Sequence, residues 1–299
     1  MKLIYGMTWD HHYSGWAGCL NSLQQHFECL PNIDLVGCLD HAMAHNNYFI
    51  SPWVGFLHNV PKHPLHMKDI YGIFDLDLER MVESDSWKES IIHCKKIFVL
   101  SQYSKNFLID KTNVPICVLK HPTFFPDVKF DIDGFTNSDE KCLILVGQWL
   151  RDFQAIFDIE TPYKKKILVA ESFLNEAIHR VFRVNDDVEF VNWLPKEEYD
   201  RLLSSNLVFC PLFDCSACNT LVECIARNTP IVLPRLPAAE EYLGSDYPLF
   251  YDSLQDASAL IENHENVVKA HLYLVAMNKQ DLTFDYFSNS FLKKFVRFI

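Results

Sequence analysis

Short, continuously apolar runs alternate with helix-like stretches along the whole chain. The apolar runs predict strands at 3–7, 35–39, 54–57, 97–100, 116–119, 143–146, 167–169, 188–191, 207–213, 231–233 and 249–251. Helical spacing of apolar residues predicts helices at 86–94, 172–182, 196–204 and 220–227. Runs that are continuously apolar, rather than alternating with polar residues, are typical of strands buried on both faces of a parallel sheet. The pattern therefore predicts an α/β fold.

The strand–helix alternation occurs twice, on either side of an irregular segment at 121–141. This segment contains two prolines, one glycine and five acidic residues without a regular period. We therefore expect two doubly wound, Rossmann-like domains, at 1–130 and 138–283, that face each other across a cleft. A final helix at 284–299 carries Phe287, Phe291, Phe295 and Phe298 at helical spacing. It is expected to return to the first domain; the alternative is a surface helix that contacts an acidic membrane.

Composition and charge exclude several classes of protein. The length of 299 residues is enough for two cores, and 49% hydrophobic residues indicate a globular chain. A net charge of -12 argues against a nucleic-acid binder, which needs a basic surface. No apolar run approaches the roughly 18 residues of a membrane span. Met1 and Lys2 lead directly into an apolar run, so we expect no signal peptide, a cytoplasmic location and free thiols at the ten cysteines.

Residues 210–232, CPLFDCSACNTLVECIARNTPIV, carry the clearest functional pattern. An apolar strand leads into a small polar loop, and the loop opens onto a helix with Glu223 in its first turn. In α/β sheets, ligands collect beyond the carboxyl ends of strands, where helix N-termini present backbone N–H groups. Asn219 is predicted to cap the helix, and the loop from Ser216 to Thr220 offers donors to a diphosphate. The acid that follows suits sugar hydroxyl groups, so the pattern indicates a nucleotide-sugar site; the alternative is an ordinary cap with no ligand.

Several segments, in this order, resemble the nucleotide-binding half of a GT-B glycosyltransferase. They are VGQWLR (146–151), EFVNWLPKEEYDRLLSSNLVFCPL (189–212), NTLVECIARNTPIVLPRLPAAEEYLG (219–244) and YPLFYD (247–252). The first half of the chain resembles the family in layout alone. The resemblance implies two Rossmann-like domains facing a central cleft. It also implies transfer of a sugar from a nucleoside-diphosphate sugar, with UDP favoured, to a hydroxyl group of a glycan or glycolipid.

The resemblance further implies roles for individual residues of the second domain. The family's helix-borne acid, which binds the donor ribose, falls on Glu223; the alternative is an exposed i,i+4 pair with Arg227. Arg151 falls where the family places a basic residue against the diphosphate, and the alternative is a surface arginine. Trp193 and Leu194 fall where the base is bound, although Trp193 alternatively packs in the core.

One position departs from the family pattern. Retaining members carry a further Glu eight residues before the ribose-binding one, and here that position is Cys215, with Asp214 beside it. A thiol does not replace a carboxylate, so the departure favours an inverting enzyme unless Asp214 takes the role. Glu171, just after a strand, is expected to face the cleft or to cap the next helix. Lys120 and Arg235 are further candidates for contact with the diphosphate.

The acceptor side is predicted in the loop after the first strand, TWDHHYSGWAG. An inverting transferase needs one general base that takes the proton from the attacking hydroxyl group. The candidates for this base are Asp10, His12, His11 and His58, the last of which follows another buried strand. Trp9 and Trp16 are predicted to stack on an acceptor sugar, with core packing as the alternative.

The cysteine spacing predicts no metal site. Cys215 and Cys218 form one C-x2-C pair, but a structural zinc site needs a second pair across a longer loop. We therefore expect neither a metal nor a cofactor. The expected partners are the donor and the acceptor, with no nucleic acid, and peripheral membrane contact is left open. Two alternatives to a transferase stay open at this point: a GT-B-fold sugar-nucleotide epimerase, and a non-catalytic nucleotide- or sugar-binding protein.

Overall fold

The computed structural model describes residues 1–5, 15–30, 32–64, 77–170, 173 and 178–296. Its strands form two parallel sheets, which confirms the predicted α/β fold with two doubly wound domains. The first sheet, in the order β1-β2-β3-β4-β5, comprises Lys2–Tyr5 (β1), Asp34–Val36 (β2), Trp53–Leu57 (β3), Cys94–Val99 (β4) and Ile116–Val118 (β5). The second, in the order β11-β10-β9-β6-β7-β8, comprises Cys142–Val146 (β6), Lys164–Leu168 (β7), Val188–Val191 (β8), Leu207–Phe209 (β9), Ile231–Pro234 (β10) and Phe250–Tyr251 (β11).

Helices cover the faces of both sheets. In the first half they are Trp16–Gln24 (α1), Leu39–Ala44 (α2), Leu78–Glu83 (α3), Asp85–Ser90 (α4) and Gln102–Leu108 (α5). In the second half they are Ile132–Asn137 (α6), Phe153–Asp158 (α7), His179–Val181 (α8), Lys196–Ser205 (α9), Asn219–Arg227 (α10), Pro237–Leu243 (α11), Leu254–Glu262 (α12), His264–Ala276 (α13) and Phe284–Val296 (α14). Across the described ranges, none of these helices has the length and apolar character needed to cross a membrane.

Several element boundaries differ from the sequence prediction. The strand predicted at 207–213 ends at Phe209, since Pro211 has no N–H to donate to a ladder. The strand predicted at 35–39 is shorter because α2 begins at Leu39. The helix predicted at 86–94 gives way at its end to a 3-10 turn and to β4. The irregular segment 121–141 contains α6, whose N-cap Asp131 accepts the N–H of Gly134.

Helix α14 packs against the first sheet through its aromatic face. Phe287, Phe291 and Phe295 are buried there, and the ring of Phe291 lies 4.9 Å from that of Phe98 and 5.8 Å from that of Phe56. These side chains are therefore not available to a membrane, which argues against the membrane-contact alternative. Phe298 lies outside the described residues.

Hydrogen bonds join the end of β4 to the second domain. The carboxylate of Glu241, on α11, accepts the N–H groups of Gln102 and Tyr103 at 2.5 and 2.7 Å. A carboxylate in this position compensates the positive end of helix α5. The hydroxyl group of the neighbouring Tyr242 donates to the carbonyl of Leu100 at 2.9 Å. The start of α5 is thus held by residues of the other domain.

Candidate functional site

The turn after β6 places Arg151 beside the start of α10. Gly147 and Leu150 adopt the left-handed region, with φ of 83° and 58°, and a Cβ at Gly147 would lie 3.3 Å from Arg151 Nη2. Arg151 is buried, and its Nη2 donates to Thr220 Oγ1 at 3.0 Å and to Cys218 Sγ at 3.3 Å. The surface alternative for Arg151 is therefore wrong. Its guanidinium contacts the loop that the sequence assigns to a diphosphate.

Helix α10 begins one residue earlier than the sequence pattern predicts. Its N-cap is Cys218, and Asn219 is the first helical residue, so the prediction of Asn219 as the cap is wrong. The reason is that the carbonyl of Cys218 already accepts the N–H of Val222, at 3.1 Å. Asn228 ends the helix in a left-handed conformation with φ of 59°. The first turn of α10 lies next to Arg151, whose guanidinium donates to Thr220 Oγ1.

The hydroxyl groups of the predicted diphosphate loop are buried. Thr220 donates to the carbonyl of Val146, at the end of β6, over 3.3 Å. Ser216 accepts a hydrogen bond from the hydroxyl group of Ser104, on α5 of the first domain, at 2.9 Å. Ala217 also packs against the core of the first domain. The loop therefore lies at the contact between the two domains.

Glu223 is a buried carboxylate. It accepts a hydrogen bond from the hydroxyl group of Tyr199, on α9, at 2.5 Å. Burial and the carboxylate of Glu223 raise the pKa of Tyr199 well above its usual range. Arg227 instead pairs with Asp200 and donates to the backbone carbonyl of Glu223 at 3.0 Å. The alternative of an exposed Glu223–Arg227 pair is therefore wrong.

A pocket of about 440 Å³ opens between the two domains. It is lined by Lys62, His63, Pro64, Tyr103, Phe213, Asp214, Leu236 and Pro237. The hydroxyl group of Tyr103 donates to Asp214 Oδ2 at 2.9 Å, and burial raises the pKa of Asp214 above its ordinary value in spite of this bond. Cys215, by contrast, is fully enclosed. Asp214 therefore lines the pocket, and Cys215 does not.

An Asp–His pair, with a buried Asp40 and a half-buried His58, lies at the carboxyl end of the first sheet. His58 follows β3, and its Nδ1 lies 3.2 Å from Oδ1 of Asp40, in the first turn of α2. Burial alone would raise the pKa of Asp40, but His58 and the backbone N–H groups of His58 and Asn59 lower it below its ordinary value. Nε2 of His58 is buried and has no hydrogen-bond partner among the described residues. A carboxylate that orients an imidazole in this way leaves Nε2 to accept a proton, which is the arrangement of a general base.

Solved structures share this architecture at low sequence identity. HepE of Anabaena in complex with UDP and glucose matches with a TM-score of 0.65 and 12% identity, over 93% of this chain and 81% of HepE. Sucrose-phosphate synthase from Thermosynechococcus elongatus matches with a TM-score of 0.59 and 10% identity, over 82% and 67%. TarM of S. aureus in complex with fondaparinux, alpha-GlcNAc-glycerol and UDP matches with a TM-score of 0.61 and 11% identity, over 94% and 58%.

The fold is GT-B. This confirms the fold that the sequence resemblance implied. No protein-family model matches the sequence, and the comparison with curated proteins finds no match either. The loop after β9 belongs to the domain of the six-stranded sheet, and the residues after β3 belong to the domain of the five-stranded sheet.

The predicted base-binding residues of this GT-B fold lie just before α9. Trp193 is 46% exposed, so the alternative of core packing is wrong for this residue. Leu194 is half-buried and packs against the second core. Contact of these two residues with a base stays a prediction. Glu171 lies outside the described residues.

On the acceptor side, Trp16 is a core residue. Its ring lies edge-on to that of His58, 4.2 Å away, and its indole N–H donates to the carbonyl of Gly37 at 2.6 Å. This burial supports core packing and argues against stacking on an acceptor sugar. The ring of His121 contacts that of Trp16, and burial lowers the pKa of the His121 imidazole to about 4.

The other candidates on the acceptor side, Trp9, Asp10, His11 and His12, lie outside the described residues.

Asp40 is the site residue that sequence reasoning missed. It follows the apolar run of β2 as His58 follows that of β3, and these strands are neighbours in the sheet. A polar residue directly after each of two apolar runs is the sequence signal for the pair, and the strand order of the structure is needed to bring the two together. Cys38 lies close to both residues, with its Sγ 3.5 Å from His58 Nδ1. The three residues each offer one possible metal-ligand atom, and these atoms lie within 4.8 Å of one another. The hydrogen bond between Asp40 and His58 accounts for this proximity.

The two other basic candidates pair with acids elsewhere. Lys120 forms an ion pair with Asp281 at 2.9 Å, and Arg235 forms one with Glu240 at 2.7 Å. Arg151 is therefore the basic candidate that contacts the loop before α10.

Proposed function

We propose that this protein is a glycosyltransferase that moves a sugar from a nucleoside-diphosphate sugar, with UDP favoured, to a hydroxyl group of a glycan or glycolipid. The observation that carries the proposal is the buried guanidinium of Arg151, hydrogen-bonded to Thr220 in the first turn of α10. A guanidinium beside the N-terminus of a helix suits a diphosphate. HepE and TarM, which share the fold, were both solved with UDP, and this supports UDP as the nucleotide.

The second domain holds the donor in this mechanism. Negative charge develops on the β-phosphate oxygen as the glycosidic bond breaks, and Arg151 with the N–H groups of α10 stabilises it without a metal ion. Glu223 accepts hydrogen bonds from the ribose hydroxyl groups, and Tyr199 holds its carboxylate in place. Trp193 stacks on the base from the surface before α9.

The first domain supplies the general base. Nδ1 of His58 donates to Asp40, and Nε2 takes the proton from the acceptor hydroxyl group as its oxygen attacks the anomeric carbon. A single displacement of this kind inverts the anomeric configuration, and Cys215 in place of a family carboxylate supports the same outcome. Asp10, His11 and His12 stay candidates for this role on sequence grounds.

A transfer assay tests the proposal. The protein is incubated with UDP-sugars and with glycan or glycolipid acceptors, and UDP release and product mass are followed. We expect equal amounts of UDP and glycosylated product, unchanged by a chelator, with an inverted anomeric centre by NMR. A changed donor sugar in the absence of acceptor would identify an epimerase. UDP binding without turnover would identify a binding protein; either result contradicts the transferase.

We further propose a cytoplasmic location. None of the cysteines that the structure describes forms a disulfide, which suits a reducing compartment. Cell fractionation with antibody detection tests this, and recovery of the protein outside the cytoplasm contradicts it.

A further inference from the structure

The thiol groups of two cysteines lie close together, one at each end of the loop that precedes α10. Sγ of Cys210, directly after β9, lies 4.0 Å from Sγ of Cys218, the N-cap of α10. Both side chains are buried, and the residues between them include Asp214 and Ser216. A disulfide has a sulfur–sulfur distance of about 2.05 Å. The two sulfur atoms therefore need to approach by about 2 Å to form a disulfide.

The two sulfur atoms differ in their surroundings. The hydrogen bond with Cys210 and the guanidinium of Arg151, 3.3 Å away, lower the pKa of Cys218 well below its usual range. The same hydrogen bond and burial raise the pKa of Cys210. The two cysteines therefore differ in acidity, and Cys218, beside the guanidinium of Arg151, forms a thiolate more readily than Cys210. The thiolate is the reactive form of cysteine toward oxidants.

We propose that Cys218 and Cys210 form a redox-modification site whose oxidant is a hydroperoxide. The thiolate of Cys218 attacks one oxygen of hydrogen peroxide, the O–O bond breaks, and the departing hydroxide takes up a proton to leave as water. Cys218 loses two electrons and becomes a sulfenic acid. The thiol of Cys210 then attacks the sulfur of Cys218, the S–O bond breaks, and a second water leaves with the thiol proton. One peroxide is reduced to two waters, and two thiols are oxidised to one disulfide.

The modification alters the surroundings of Arg151. Bridging withdraws Sγ of Cys218 from the guanidinium and ties the start of α10 to the end of β9. Conversely, a diphosphate bound at Arg151 would take over its N–H donors, and its negative charge would raise the pKa of Cys218. Bound UDP is therefore expected to slow disulfide formation. This last consequence rests on the proposed function, whereas the disulfide itself does not.

Peptide mapping of the oxidised protein tests the site. The reduced protein is treated with one equivalent of hydrogen peroxide, alkylated, digested and analysed by mass spectrometry. We expect a disulfide between the peptides of Cys210 and Cys218, formed at least about tenfold faster than Cys224 is oxidised. Cys224 is the matched control, because burial raises the pKa of its thiol. A bridge between other cysteines, or equal oxidation of Cys224, overturns the proposal.

Two variants and added UDP provide further tests of the redox site. Cys210→Ser lacks the second thiol, so Cys218 should stop at the sulfenic acid, which dimedone traps. Cys224→Ser should form the bridge at the wild-type rate, and failure to do so overturns the assignment. Added UDP should slow bridging in the wild-type protein. If the bridge forms at an unchanged rate with UDP, the redox site is upheld and the position proposed for the diphosphate is overturned.

Discussion

Oδ1 of Asp40 lies 3.2 Å from Nδ1 of His58, and Oδ2 of the same carboxylate accepts the backbone N–H groups of His58 and Asn59 at 3.0 and 2.7 Å. The carboxylate thereby fixes the imidazole ring in one orientation. We expect Asp40→Asn and His58→Gln to lower kcat by about 10²–10⁴-fold, the usual contribution of a positioned general base. The affinity for UDP should not change, because the proposed function places the donor on the other domain.

Initial rates and calorimetric titration with UDP separate these two effects. His45→Gln is the matched control, since His45 is exposed on the same part of the chain. Full turnover in both the Asp40 and the His58 variants would place the base elsewhere, with Asp10 and His12 as the next residues to change.

Glu223→Gln tests the ribose contact. The hydrogen bond from Tyr199 shows that the carboxylate is held in a fixed position. A hydrogen bond to a charged group is worth about 1.5–3 kcal/mol, so wild-type protein should prefer UDP over 2′-deoxy-UDP by about 10–100-fold. Glu223→Gln should lose most of this preference, and Glu262→Gln, at an exposed position, should keep it. An equal preference in wild type and Glu223→Gln, measured by calorimetry, contradicts the assignment.

Because His121 is buried, we expect the folded protein to lose stability in mild acid. Burial lowers its pKa to about 4, whereas the unfolded chain has a histidine pKa of about 6.5. The unfolded chain therefore binds the proton more tightly. The stabilisation is fully present above about pH 6.5 and is lost as the pH falls toward 4, with a total of about 3 kcal/mol. Urea denaturation as a function of pH should show this slope, and His121→Gln should reduce it. An unchanged slope in His121→Gln, with His45→Gln as control, would contradict the account.

A substitution of Phe291 tests how much the packing of α14 contributes to the stability of the protein. Its side chain is buried against Phe98 and Phe56 on the first sheet. Phe291→Ala should lower the free energy of unfolding by about 3–5 kcal/mol, because it removes a buried ring and leaves a cavity. Tyr286→Ala, on the exposed face of the same helix, should change it by no more than about 0.5 kcal/mol. Equal effects in urea denaturation would contradict the docking of α14.

The sheets were predictable because buried parallel strands are continuously apolar. The runs at 143–146 and 231–233, for example, correspond closely to β6 and β10. Helix α6 was not predicted, because it is short and its main signal is the cap of Asp131 within a segment rich in acids. Local periodicity carries little information about helices of this length.

The candidate site was open to prediction from sequence where one segment supplies all of its parts, and not where two segments meet. The loop before α10 lies in a single stretch of sequence, so its phosphate-type pattern could be read directly. The contact between Asp40 and His58 depends on the order of β2 and β3 in the sheet, and that of Tyr103 with Asp214 depends on how the domains meet. Neither strand order nor domain contact is encoded in local spacing.

The most direct test of the proposed function is calorimetric titration of wild-type protein and Arg151→Lys with UDP and with uridine. Lysine keeps the charge of Arg151 but lacks its planar set of donors, which bonds Thr220 and is proposed to bind a phosphate. We expect wild type to bind UDP at least about tenfold more tightly than uridine, and Arg151→Lys to weaken UDP binding by about 10–100-fold without changing that of uridine. Arg183→Lys, at an exposed position, should behave as wild type. Equal binding of UDP by wild type and a folded Arg151→Lys, or no preference of wild type for UDP over uridine, would contradict the account.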